Sequence, residues 1–174
     1  MTKFPLLTAG LLAGLCLSAP GMAAPRPSAS GTRVFHGAWF DIRYPADFRV
    51  RPSQRSQTAD GYDSAFFTAP DGSVTFYVFL PQWNGDPRDI RLQPGREVLT
   101  AHATRRRTEH GYMVTAAWFT ARARDGSYTR SWVDTQTSLN SRCVFGIRSR
   151  DAASLARYGR RYAAFKASLR GYAD

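Results

Sequence analysis

The chain has 174 residues and a formal net charge of +11, a combination that suits one basic domain. Its two cysteines exclude a small fold stapled by internal disulfides, because Cys16 lies in an apolar leader and Cys143 is then alone. Lys3 and Lys166 are the only lysines, so the positive field is carried by arginine; it favours anionic partners without defining a fold, and a general preference for arginine over lysine produces the same excess.

Lys3, the uncharged apolar run 6–17 and Gly21-Met22-Ala23 read as a cleavable signal peptide over residues 1–23. Leu15 before Cys16 does not suit a lipoprotein signal, and the run bracketed by Pro5 and Pro20 falls short of the roughly 20 residues of a membrane anchor. Export to the periplasm or beyond is therefore expected, with no transmembrane span after cleavage. Losing Lys3 leaves a formal charge of +10. A mature chain of this size buries roughly 70% of its unfolded surface in one core.

Residues 24–31, Ala-Pro-Arg-Pro-Ser-Ala-Ser-Gly, read as a flexible leader, and residues 32–174 as one domain. From Thr32 the pattern turns to period two. Phe40, Ile42 and Tyr44 alternate with Asp41 and Arg43, as in a half-buried strand, and Phe48 and Val50 start a short second one after a turn. Residues 52–62 are polar and read as a loop. Residues 64–68 and 73–80 form a hairpin around Pro70-Asp71-Gly72, where proline presets φ and glycine takes the positive φ of the turn. Pro81, Gly85 and Pro87 break the chain again.

Residues 97–104 alternate, with Val98, Thr100, His102 and Thr104 expected on one side and Leu99, Ala101 and Ala103 on the other. Tyr112 opens a long strand, Asp125-Gly126 closes a hairpin, and a last strand over 142–149 carries Val144, Phe145 and Ile147. The final segment is helical. Asp151 is placed to cap it, and Leu155, Tyr158, Tyr162, Phe165 and Leu169 make one apolar stripe. Gly159 inside that helix costs about 1 kcal/mol against alanine, which tight packing against another element would explain. The expected architecture is α+β: an antiparallel sheet of about six strands with a C-terminal helix packed on one face.

Phe40-Asp41-Ile42-Arg43-Tyr44-Pro45, Phe48-Arg49-Val50, the run Phe66 through Gly72, the apolar strand that follows, and the terminal Tyr158, Tyr162, Phe165 and Leu169 resemble the PsbP-like superfamily. Its bacterial members are mostly small exported proteins of unknown function. The resemblance covers most of residues 38–169 and rests on structural motifs. It implies a binding or accessory role and transfers no catalytic site. It also implies a helix between the early hairpin and the later strands, which Pro87, Pro94 and Gly95 make short or missing here.

No residue pattern marks catalytic, cofactor or metal chemistry. His36, His102 and His110 lack paired ligand spacing, and there is no Gly-x-Ser-x-Gly or phosphate loop. Cys143 is either a small buried residue or a nucleophile activated by a distant histidine, which keeps a hydrolase with a dispersed site as the alternative function. The basic side chains are more suggestive. Arg105, Arg106 and Arg107 are consecutive at a strand end, and Arg122, Arg124 and Arg130 flank the next hairpin and could join them. With Trp83 in a breaker-rich loop, they are the candidate contacts for an envelope protein or an anionic surface such as lipid headgroups or polysaccharide. Export argues against nucleic acid. The leading reading is a non-enzymatic envelope protein without a small-molecule cofactor.

Overall fold

A computed structural model describes residues 31–172. The expected signal peptide over 1–23 and the leader over 24–31, apart from Gly31, lie outside the described residues. Strands β1 (Thr32–His36), β2 (Phe40–Pro45), β3 (Arg49–Pro52), β4 (Ser64–Thr68) and β5 (Val74–Phe79) come first. After one 3₁₀ turn at Arg88–Ile90 come β6 (Glu97–Glu109), β7 (Tyr112–Ala123), β8 (Thr129–Thr137), β9 (Arg142–Ser149), helix α1 (Ala152–Ala167) and β10 (Arg170–Gly171).

The sheet expected to have about six strands has seven, all antiparallel, in the order β3-β4-β5-β9-β8-β7-β6. A small sheet, β1-β2-β10, stands beside it. β5 and β9 are central, so both faces of β5 are covered and its sequence, Val-Thr-Phe-Tyr-Val-Phe, loses the apolar–polar alternation of a one-sided strand. The proline-rich stretch after β5 holds only the 3₁₀ turn, in keeping with its breakers.

α1 and β2 together cover one face of the sheet, hereafter the helix face. Phe165 sits among Phe67, Phe76 and Phe145, with ring centroids 5.0, 5.3 and 6.0 Å away. Phe40, Ile42 and Tyr44 of β2 complete this core. Ser168 locks the helix end to β2: its hydroxyl accepts from the Arg43 amide at 2.9 Å.

The Asp151 cap forms as expected, its Oδ1 accepting from the Ser154 amide at 2.7 Å. The apolar stripe needs one correction. Tyr158 and Phe165 are buried and Tyr162 and Leu169 pack at the margin, but Leu155 is 43% exposed and Ser154 takes the inward position. Positions 154, 158 and 165 share one side of a 3.6-residue helix, and 155 is turned about 100° from 154.

Gly159 is not a close-packing site. A Cβ built there meets nothing within 4 Å. Gly159→Ala is therefore expected to raise stability by about 0.5–1 kcal/mol, read as an upward shift of the urea midpoint at unchanged slope.

The opposite face is crossed by residues 80–96, a strap from β5 to β6. Two carboxylates pin it. Asp89 accepts from the hydroxyls of Ser53 and Ser64, each at 2.7 Å, and of Tyr77 at 3.2 Å. Glu97, 2% exposed, accepts from Arg130 Nε and Nη2 at 2.6 Å each, from the Tyr128 hydroxyl at 2.8 Å and from the Gln93 amide at 2.9 Å. Burial pushes the Glu97 carboxyl up, but Arg130, the Gln93 amide and Tyr128 outweigh it and hold it below its ordinary value. The rows beneath the strap are aromatic. Direct cross-strand pairing runs Arg51, Phe66, Tyr77, Gly146, Trp132, Phe119, His102 across all seven strands.

Candidate functional site

β6 is the last strand of the sheet, 13 residues long, and exposed at every position except Glu97. It is paired with β7 on one side, and among the described residues no strand pairs with its other side. In an antiparallel ladder alternate residues turn their N–H and C=O away from the neighbour, so an edge strand carries a row of unpaired backbone groups.

A bulge resets its faces. Leu99 pairs with Ala121 and Ala101 with Thr120, leaving Thr100 extra, its hydroxyl donating to the Thr120 carbonyl at 3.1 Å. The alternation expected over 97–104 is thereby corrected. Leu99, His102, Thr104 and Arg106 share the strap face; Val98, Ala101, Ala103, Arg105 and Arg107 share the helix face.

The arginines expected to gather do not form one cluster. Arg105, Arg106 and Arg107 pair with Ala116, Thr115 and Val114 near the β6–β7 turn. Arg122 pairs with Val98 and Thr129 at the other end of β7. Seven residues separate Thr115 from Arg122, about 23 Å of strand. Arg124 lies beyond the strand and donates from Nε to the Pro94 carbonyl at 3.1 Å. Arg130 is consumed by Glu97, with side-chain exposures of 13% and 1% for the pair. Arg105 and Arg106 have no ion pair among the described residues, and Arg107 pairs with Glu109. The three consecutive arginines thus project from both faces of a free edge. Trp83 stands apart, 57% exposed, at a cavity of about 470 Å³ that it shares with Gln54, Arg55 and Arg88.

Cys143 carries no reaction centre. Burial, with a smaller push from Asp134, raises its thiol to about 12, the reverse of an activated nucleophile. His36 is tied to Asp41 at 2.6 Å and His102 stacks on Phe119, on the face opposite Cys143. Among the described residues these placements give no positive support to the hydrolase alternative. Cys143 is expected to resist iodoacetamide at pH 8 in the folded protein and to react completely in urea, read by mass spectrometry. Among the described residues no group of three or more His, Cys, Asp or Glu is placed to hold a metal ion, and no helix is long and apolar enough to cross a membrane.

Two arginines that carried no signal in the sequence emerge on the strap face. Arg51 lies over the Phe66 ring at 4.4 Å and Arg148 over the Tyr128 ring at 3.9 Å. Their neighbours are cross-strand, 15 residues away for Phe66 and 20 for Tyr128, beyond any local pattern.

No family model matches the chain, and no curated protein matches it. Among solved structures it is similar to the solution structure of cyanobacterial PsbP (CyanoP) from Synechocystis sp. PCC 6803, with 10% sequence identity and a TM-score of 0.49 over 90% of this chain and 99% of that one.

Proposed function

We propose that the protein is an exported, non-enzymatic envelope protein that binds an acidic, extended segment of a partner protein by adding it as a strand along β6. One observation carries this: the free edge of the sheet bears Arg105, Arg106 and Arg107 on alternating faces beside unpaired backbone groups. An added strand alternates in the same way, so consecutive acidic residues meet Arg106 on one face and Arg105 and Arg107 on the other. Backbone bonds give affinity and the guanidiniums give sign selectivity.

The same charges disfavour a second copy of the chain. Antiparallel pairing of two β6 strands about Arg106 sets Arg105 against Arg107 of the other copy, and like charges directly opposite destabilise a sheet. A lipid headgroup surface satisfies the guanidiniums but not the edge amides, which favours a peptide. Arg122 and Arg124 extend the positive field that speeds encounter. No cofactor is called for.

Calorimetry with a nine-residue peptide carrying three consecutive glutamates flanked by valines tests the proposal, with lysine replacing glutamate as control. The glutamate peptide is expected to bind with an affinity that falls as salt rises. The triple change Arg105→Gln, Arg106→Gln, Arg107→Gln should weaken it at least tenfold. Equal binding of the lysine peptide, an unaffected triple variant, or retention on phosphatidylglycerol vesicles without peptide binding would each contradict it.

A further inference from the structure

The strap face carries a second feature, independent of the β6 edge. Between the strap and the aromatic row lies an open trough of about 390 Å³, within the range of small-ligand cavities. Its floor exists because one member of the row has no side chain. A Cβ at Gly146 would stand 3.3 Å from Cβ of Tyr77 and 3.6 Å from Cβ of Trp132, so glycine keeps the row open at its centre. The walls are rings: Phe66, beneath Arg51, on one side and Tyr128, beneath Arg148, on the other.

The charges around the trough are unequal in availability. Asp89 and Glu97 are saturated by donors from the protein itself, and Arg130 is neutralised by Glu97. Arg51 and Arg148 have no ion pair among the described residues. The next row beside the floor adds hydroxyls. Thr75 pairs directly with Arg148 and with Thr68, and the two threonine hydroxyls are 3.2 Å apart. One guanidinium and two hydroxyls therefore occupy adjacent positions, bordered by ring walls.

We infer that this trough binds a small organic anion, a carboxylate or phosphate carried on a flat ring. The anionic group sits at Thr68 and Thr75 and takes charge-assisted hydrogen bonds from Arg148. The ring lies over Gly146 between the walls, where Arg51 supplies a further cation. Asp89 and Glu97 repel a competing acidic group from the strap side and so fix the orientation.

The test uses 1-naphthyl phosphate, with uncharged 1-naphthol as control, measured by calorimetry and by tryptophan fluorescence. The phosphate is expected to bind at least tenfold more tightly than the naphthol. Arg148→Gln should weaken it about tenfold and Thr75→Val several-fold, both at unchanged melting temperature. The triple glutamine change on β6 should leave it untouched, which separates failure of this site from failure of the edge. Absence of saturable binding, equal affinity for the two naphthyl compounds, or full affinity in both Arg148→Gln and Thr75→Val overturns the inference.

Discussion

Glu97→Gln is expected to lower stability by about 3 kcal/mol, measured as a fall in the urea midpoint. Glu97 and Arg130 form an ion pair whose two side chains are 1% and 13% exposed, and removing one partner of such a pair strands the other charge. Glutamine keeps the shape and one acceptor, so its cost sits at the low end of the roughly 3–5 kcal/mol seen when buried pairs are broken; Glu97→Ala should reach the upper end. The pH dependence has a definite sign. The folded carboxyl is held below its ordinary value of 4.5, so its stabilisation is present above that value and is lost as pH falls through the folded pKa. The gap between wild type and Glu97→Gln should therefore be constant at neutral pH and narrow in acid. Loosening of the strap should accompany it, since the Gln93 amide and the Tyr128 hydroxyl also bond to Glu97.

Phe165→Ala should cost about 3–5 kcal/mol, whereas Leu155→Ala, in the same helix, should stay within about 0.5 kcal/mol. Phe165 is 2% exposed and packs on Phe67, Phe76 and Phe145, so its loss opens a cavity between helix and sheet. Leu155 is 43% exposed already. Chemical denaturation of the two variants side by side reads the difference directly. Equal losses would mean that α1 is rotated by about one residue from the phase described above.

These two residues also show what the sequence reveals and what it hides. Phe165 is legible because a period near 3.6 marks a helix face, and the strands of the hairpins are legible because Pro-Asp-Gly and Asp-Gly turns punctuate runs of alternating residues. Leu155 misleads because periodicity locates a face only to within one residue, and the capping geometry at Asp151 decides which residue enters first. β10, two residues long, is too short to carry a pattern, and β1 is exposed at all positions but Phe35. The bulge at Thr100 flips the faces of half a strand without altering any local propensity.

The candidate sites divide along the same line. Arg105, Arg106 and Arg107 can be read directly because their neighbourhood is their own strand. Their separation from Arg122 and Arg124 depends on the length of an antiparallel ribbon, and the capture of Arg130 by Glu97 depends on a strap closing across 33 residues. The trough depends on pairings between β4, β5 and β9 that only the folded order of strands creates. Glu97 is one of only two glutamates in the sequence, yet nothing local marks it as buried.

Backbone hydrogen exchange along β6, followed by NMR with and without the glutamate–valine peptide, tests the binding role most directly. The alternate amides facing away from β7 between Ala101 and Glu109 should exchange fast in the free protein and slow markedly once peptide is bound. A bound peptide that leaves those amides fast, or outward amides already protected in the free monomer, would contradict strand addition at this edge.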